Sequence, residues 1–124
     1  MAGRLTIVGL GPADELLLTP QTSAAIAAAE VVFVRTRRHP AAAVLGDVQS
    51  FDEIYDQADT FEAVYQEIAE RLIAATSEGE VLYAVPGSPL VLERTVELLR
   101  AASDDGRLDL EILPAMSFLD AAWA

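Results

Sequence analysis

Three short turns carry the residues best suited to chemistry: Gly11-Pro12-Ala13-Asp14, Pro86-Gly87-Ser88-Pro89 and Pro114-Ala115-Met116-Ser117. Each follows a predicted strand, and in a parallel sheet all three must emerge at the carboxyl edge, where α/β folds bind their ligands. None of the turns supplies a strong nucleophile or base. What they offer is backbone N–H and C=O groups with few side chains in the way, a lining that suits a neutral or zwitterionic ligand better than a polyphosphate. Such an edge fits a reaction whose bond-making power resides in a bound cofactor, leaving the protein to align and desolvate. Methyl transfer from S-adenosylmethionine is a reaction of that kind, because the sulfonium is already an activated electrophile.

Other constellations point to less. Gly9-Leu10-Gly11 after the first strand has the opening of a dinucleotide fingerprint, but Asp14 occupies the place of its third glycine and Pro12 removes a backbone donor. The second strand runs into Arg35 rather than the acidic residue that would grip a ribose. No Gly-Lys-Ser/Thr is present, which excludes a P-loop. Glu67 and Glu70, three apart on a predicted helix, have chelating spacing but read as a solvated face, as do Glu93 and Glu97, and no metal site is expected. His39, between Arg38 and Pro40, reads as a surface loop residue. The cluster Arg35-Thr36-Arg37-Arg38 could face an acidic substrate or serve as a solubilising loop.

The composition bounds the function class. The chain has 124 residues, 52% of them hydrophobic, with mean hydropathy +0.31, which suggests one domain, or part of one, able to bury a core over 1–124. Twenty acidic residues oppose eight basic ones, all arginine, for a net charge of -12. That balance opposes nucleic-acid binding and anionic membranes. Without cysteine there is no thiolate nucleophile and no cysteine-based zinc site. The amino terminus runs directly into a strand, so no signal peptide is expected, and no apolar run reaches the roughly 18 residues of a membrane helix. A soluble cytoplasmic location is the expectation.

The elements that must position the turns alternate β and α throughout, with no hairpin signal. Residues 5–9, 31–34 and 81–85 are wholly apolar and should be central strands, whereas 108–112 alternates and 48–51 is short, as edges would be. Thr19 should cap a first helix running to Ala29, with Pro20 in its first turn. A short helix over 41–45 should stop at Gly46, and 52–59 should be loop with at most one helical turn. From residue 60, Phe61, Val64, Tyr65, Ile68, Leu72 and Ile73 form one helical face, opened by a capping box of Asp59 and Glu62. Ser88 should cap the next helix, with Pro89 at its first position. Ser117 should open a last helix, whose apolar Ala-Ala-Trp-Ala end suggests the front part of a larger domain.

The stretches VGLGPAD, RTRRHP, FDEIYDQADTFEAVYQEIAE, VLYAVPGSPLVLERTV and LPAMSFLDA resemble, in this order and over nearly the whole chain, the tetrapyrrole (corrin/porphyrin) methylase family. More narrowly they are similar to its YabN-type branch, in which this domain precedes a MazG nucleotide pyrophosphohydrolase domain. The resemblance implies the first lobe of a two-lobed class III methyltransferase, an α/β fold whose five-stranded parallel sheet has order 3-2-4-1-5 with crossover helices. The second lobe would lie outside this chain, which would by itself be an incomplete enzyme.

The resemblance further implies S-adenosylmethionine as cofactor, a small-molecule acceptor of tetrapyrrole-like chemistry and a homodimeric assembly. By motif position Pro86, Gly87 and Ser88 form the cofactor loop, Leu90, Val91 and Leu92 its apolar wall, and Met116, Ser117 and Phe118 a second cofactor turn. Gly9, Gly11, Pro12 and Asp14 face the acceptor side, and no residue takes a catalytic role. Ser88 stands where the family usually carries Asp and the YabN branch His, Ala115 where Gly is common, and Ala13 replaces the second Gly of Gly-Pro-Gly-Asp. These departures motivate an alternative, a non-catalytic binding or assembly module of a MazG-type pyrophosphohydrolase.

Overall fold

Wholly apolar strands need cover on both faces, and helices on each side of the sheet provide it. The computed structural model describes residues 3–46, 48–91 and 93–123. Its strands are β1 (Gly3–Gly9), β2 (Val32–Val34), β3 (Gln49–Ser50), β4 (Val81–Val85) and β5 (Leu108–Ile112). All pairings are parallel, in the order β3-β2-β4-β1-β5, so the expected order and both expected edges are found. The helices are α1 (Pro20–Ala28), α2 (Asp52–Gln57), α3 (Phe61–Ala75), α4 (Arg94–Asp104) and α5 (Phe118–Ala122).

One face of the sheet, with Leu5, Ile7, Tyr83 and Val85, packs under α2, α3 and α4 through Ile54, Ile68, Leu72 and Leu99. The other face, with Val8, Val34, Leu82 and Ala84, lies under α1 and a 3-10 segment at Pro40–Leu45. Leu72 is fully buried, and its truncation to Ala would cost about 3 kcal/mol. β5 is buried at Leu108, exposed at Asp109 and Glu111 and half-buried at Leu110 and Ile112, as its alternation required.

Register sets the ends of the strands. Gly9 lies opposite Val85, and Val34 opposite Ala84. The Arg35 N–H then donates to the Ala84 carbonyl (2.9 Å), so the segments leaving β1, β2 and β4 emerge side by side.

Local chemistry departs from expectation in four places. α4 begins at Arg94, with Glu93 as N-cap, rather than at Ser88 and Pro89. The Ser88 hydroxyl instead accepts from Leu90 N–H (3.2 Å) inside an eight-residue loop, a local bond that competes with helix initiation. α3 is capped by Thr60, whose hydroxyl accepts from Ala63 N–H (3.1 Å), and not by Asp59. Phe61 is exposed and stacks on Tyr65 (centroids 6.4 Å apart), while Ala69 takes its place in the buried face. The acidic stretch after Phe51 forms α2 because its first turn carries Asp52 and Glu53, favourable beside a helix amino terminus, and Ile54 is buried against the core.

Candidate functional site

The loops after β1 and β4 are tied to each other. Gly11 N–H donates to the Gly87 carbonyl (3.1 Å) and Gly87 N–H to the Gly11 carbonyl (2.9 Å), a single antiparallel bridge above a parallel sheet. Both residues have positive φ, +74° and +66°, a region that glycine occupies without steric cost. Beneath the bridge Gly9 leaves no room. A Cβ built there would come within 3.0 Å of the Gly87 carbonyl oxygen, the Ala115 methyl and the Pro89 ring. Glycine at position 9 thus lets the turns after β1, β4 and β5 close on one another. A Cβ at Gly87 would meet nothing within 4 Å, so that side of the loop is open.

A third segment reaches the same point. His39 Nδ1 accepts from Ala41 N–H (3.0 Å), which leaves the proton on Nε2, and Nε2 donates to the Gly11 carbonyl at 2.8 Å. His39 is half-buried between these contacts, not the free loop residue that its sequence neighbours suggested.

The anticipated cofactor residues divide by position. Ser88 is buried, Pro86 and Val91 are half-buried, and Leu90 is exposed on the rim; Leu92 lies outside the described residues. Ser117 caps α5 with its hydroxyl on Leu119 N–H (3.1 Å), while Asp120 returns to Ser117 N–H (2.8 Å) in a complete capping box. Met116 is half-buried and Phe118 exposed. Among the described residues, the N–H groups of Ser88, Ala115 and Met116 have no protein acceptor. On the acceptor side, Pro12 is half-buried, and Asp14 is exposed and caps a 3-10 turn through Leu16 N–H (3.1 Å).

Below the β4–α4 loop lies a polar group that sequence spacing did not reveal. Glu93, which read as part of a solvated helix face, is 7% exposed and bonded to Arg35 Nη1 at 2.7 Å. Burial pushes its carboxyl above the ordinary glutamate range, and the Arg35 charge and hydrogen bond pull it partly back. Tyr83, wholly buried, is held well above the usual phenol range by burial and by the Glu93 charge, so it stays a neutral O–H. Its hydroxyl and that of Thr95 are neighbours, yet neither makes a well-directed hydrogen bond among the described residues. The sequence signal was an Arg closing the apolar strand β2 and a Glu at the start of α4, the helix that follows β4, and nothing in their spacing joins residues so far apart.

The other acidic pairs are occupied. Glu67 is bonded to Arg71 (2.8 Å), Glu70 to Arg107 (2.9 Å) and Glu97 to Arg94 (3.0 Å), all exposed, so Glu67 and Glu70 point at separate cations and not at a shared ion. A depression of 710 Å³ lies beside Arg4, Glu80 and Gln21, at the end of the sheet where β1 and β4 begin, and no residue of the three turns lines it. No helix among the described residues is long and apolar enough to cross a membrane.

The sequence and the fold both have counterparts among known proteins. The sequence profile of the Tetrapyrrole (Corrin/Porphyrin) Methylases matches residues 4–124. The chain belongs to this family. Over 127 residues it is 40% identical to YabN of Bacillus subtilis (strain 168), itself described as an uncharacterized protein, covering 99% of this chain and 26% of that one. Among solved structures, the methylase fold here superposes on a uroporphyrin-III-C-methyltransferase from Thermus thermophilus with TM-score 0.71 and 28% identity, covering 94% of this chain and 49% of the other. It also superposes, at 22% identity and TM-score 0.66, on a Thermus thermophilus enzyme of that name complexed with S-adenyl homocysteine, where the shared feature is the fold. The chain therefore spans about half the length of the first solved structure and about a quarter of YabN.

Proposed function

We propose that this chain is the S-adenosylmethionine-binding lobe of a methyltransferase-like protein, the first of two lobes, acting on a tetrapyrrole-like acceptor. The observation that carries the reading is the Gly11–Gly87 bridge, which presents the open side of Gly87 at the carboxyl edge of a tetrapyrrole methylase fold. The residues fit such a cofactor. Gly87 leaves its approach free of a Cβ, the Ser88, Ala115 and Met116 N–H groups are unengaged donors, and Val91, Leu90 and Phe118 offer apolar surface. When bound, the cofactor would supply an activated methyl group. The chain's own part is to hold the ligand by backbone groups and to exclude water, since no turn contributes a strong nucleophile or base.

Calorimetric titration of the full-length protein with S-adenosylhomocysteine tests this reading. Saturable micromolar binding is the expected outcome, and absence of binding by the folded protein would overturn it.

A second reading draws support from the share of YabN, about three quarters, that lies beyond the matched region. In it the lobe serves binding or assembly for an attached pyrophosphohydrolase of the MazG type. Deleting the lobe and finding hydrolase activity and oligomeric state unchanged would exclude that role.

A further inference from the structure

The geometry points to His39 as the positioning residue of the cofactor edge, acting through the Gly11 carbonyl and resting on the cofactor-binding reading above. Its backbone is fixed from two sides. Pro40 holds His39 extended (φ -143°, ψ 137°), and the ring caps the 3-10 segment through Ala41 N–H. The Nε2–H is thereby aimed before any ligand arrives.

The Gly11 oxygen receives two donors, His39 Nε2 and Gly87 N–H, one for each lone pair. Three segments, from the ends of β1, β2 and β4, thus converge on one carbonyl. The Gly87 peptide, whose far side is open, is oriented by an acceptor that His39 holds in place. Both ring nitrogens of His39 are engaged by Gly11 and Ala41, so its influence on a ligand runs through Gly11 and Gly87.

Two isosteric substitutions in the full-length protein separate the ring nitrogens. His39→Asn keeps an acceptor near Nδ1 and loses the donor to Gly11, whereas His39→Gln keeps an amide donor near Nε2. The expectation is that H39N weakens S-adenosylhomocysteine binding about tenfold, the scale of one lost hydrogen bond, while H39Q stays within about twofold of wild type. Amide exchange of the peptide containing Gly87, followed by mass spectrometry without ligand, should quicken in H39N and stay near wild type in H39Q. Equal exchange in H39N and wild type, or equal losses in the two variants, overturns the role of His39. Lack of calorimetric binding by wild type counts against the cofactor reading instead, and the exchange measurement still decides the latch.

Discussion

Arg35 and Glu93 form a 2.7 Å ion pair that closes the loop between β4 and α4 against the end of β2. Glu93 is almost wholly buried and the Arg35 side chain is 27% exposed, so the pair is screened much less than the surface pairs elsewhere in the chain. Removing one partner leaves the other uncompensated. Arg35→Met should destabilise by about 3 kcal/mol, because Glu93 must then be buried alone or protonated. Glu93→Gln keeps an acceptor for Arg35 and should cost about 1 kcal/mol. Urea unfolding of both variants checks the order, and equal losses would refute it.

The same pair gives a pH signature. Burial raises the Glu93 pKa in the folded state, so that state binds the Glu93 proton more tightly than the unfolded chain does. Its contribution is then most favourable below the ordinary glutamate value and declines as pH rises through the raised one. Asp52 behaves oppositely. Burial alone would raise it, but hydrogen bonds from Arg37 N–H, Thr36 and Ser50 outweigh that and hold it low, so its stabilisation is lost as pH falls through the lowered value. Unfolding measured from about pH 4 to about pH 7 should show Glu93→Gln gaining on wild type as pH rises. A constant difference across that range would remove Glu93 as the source.

Glycines at the edge should separate strain from function. Gly87 and Gly46 both have positive φ (+66° and +70°) and open space around a built Cβ. Alanine at either should cost about 1–2 kcal/mol of backbone strain. Only Gly87→Ala should weaken S-adenosylhomocysteine binding, by calorimetry, since Gly46 ends the 3-10 segment after His39 and is no part of the bridge. Gly9→Ala is a different case. Its Cβ would collide with the Gly87 carbonyl oxygen and the Pro89 ring, which cannot swing aside, so about 3 kcal/mol and loss of the edge geometry are expected.

The architecture was legible because it rests on patterns short in range. Three apolar strands announced the sheet centre, the alternation of Leu108 to Ile112 an edge, and Thr19 and Ser117 the starts of their helices. Errors arose where tertiary contacts decided. Ser88 and Pro89 have the chemistry of a helix start, but the Ser88 hydroxyl turns to Leu90 and the helix waits until Arg94. Phe61 has the period of a core residue at the first turn of α3, yet it lies outside the packed face. His39 and Glu93 looked solvated because their partners, Gly11 and Arg35, are 28 and 58 residues away. Pairings at that separation are made by strand order, which local spacing does not encode.

Ser88 stands at a position where the side chain could contact the ligand directly or only shape the loop. The hydroxyl accepts from Leu90 N–H and the residue is 6% exposed, so its oxygen is engaged within the loop while its own N–H remains unengaged. Ser88→Ala should therefore lower unfolding stability by about 1 kcal/mol, the worth of one partly buried hydrogen bond. Binding of S-adenosylhomocysteine should stay within about threefold of wild type, because the backbone donor is retained. A direct contact predicts the reverse: an unfolding midpoint close to wild type and a loss of affinity beyond about tenfold. Thermal unfolding and calorimetry on the same preparation distinguish the two, and the second result would make the Ser88 hydroxyl a ligand-contacting group.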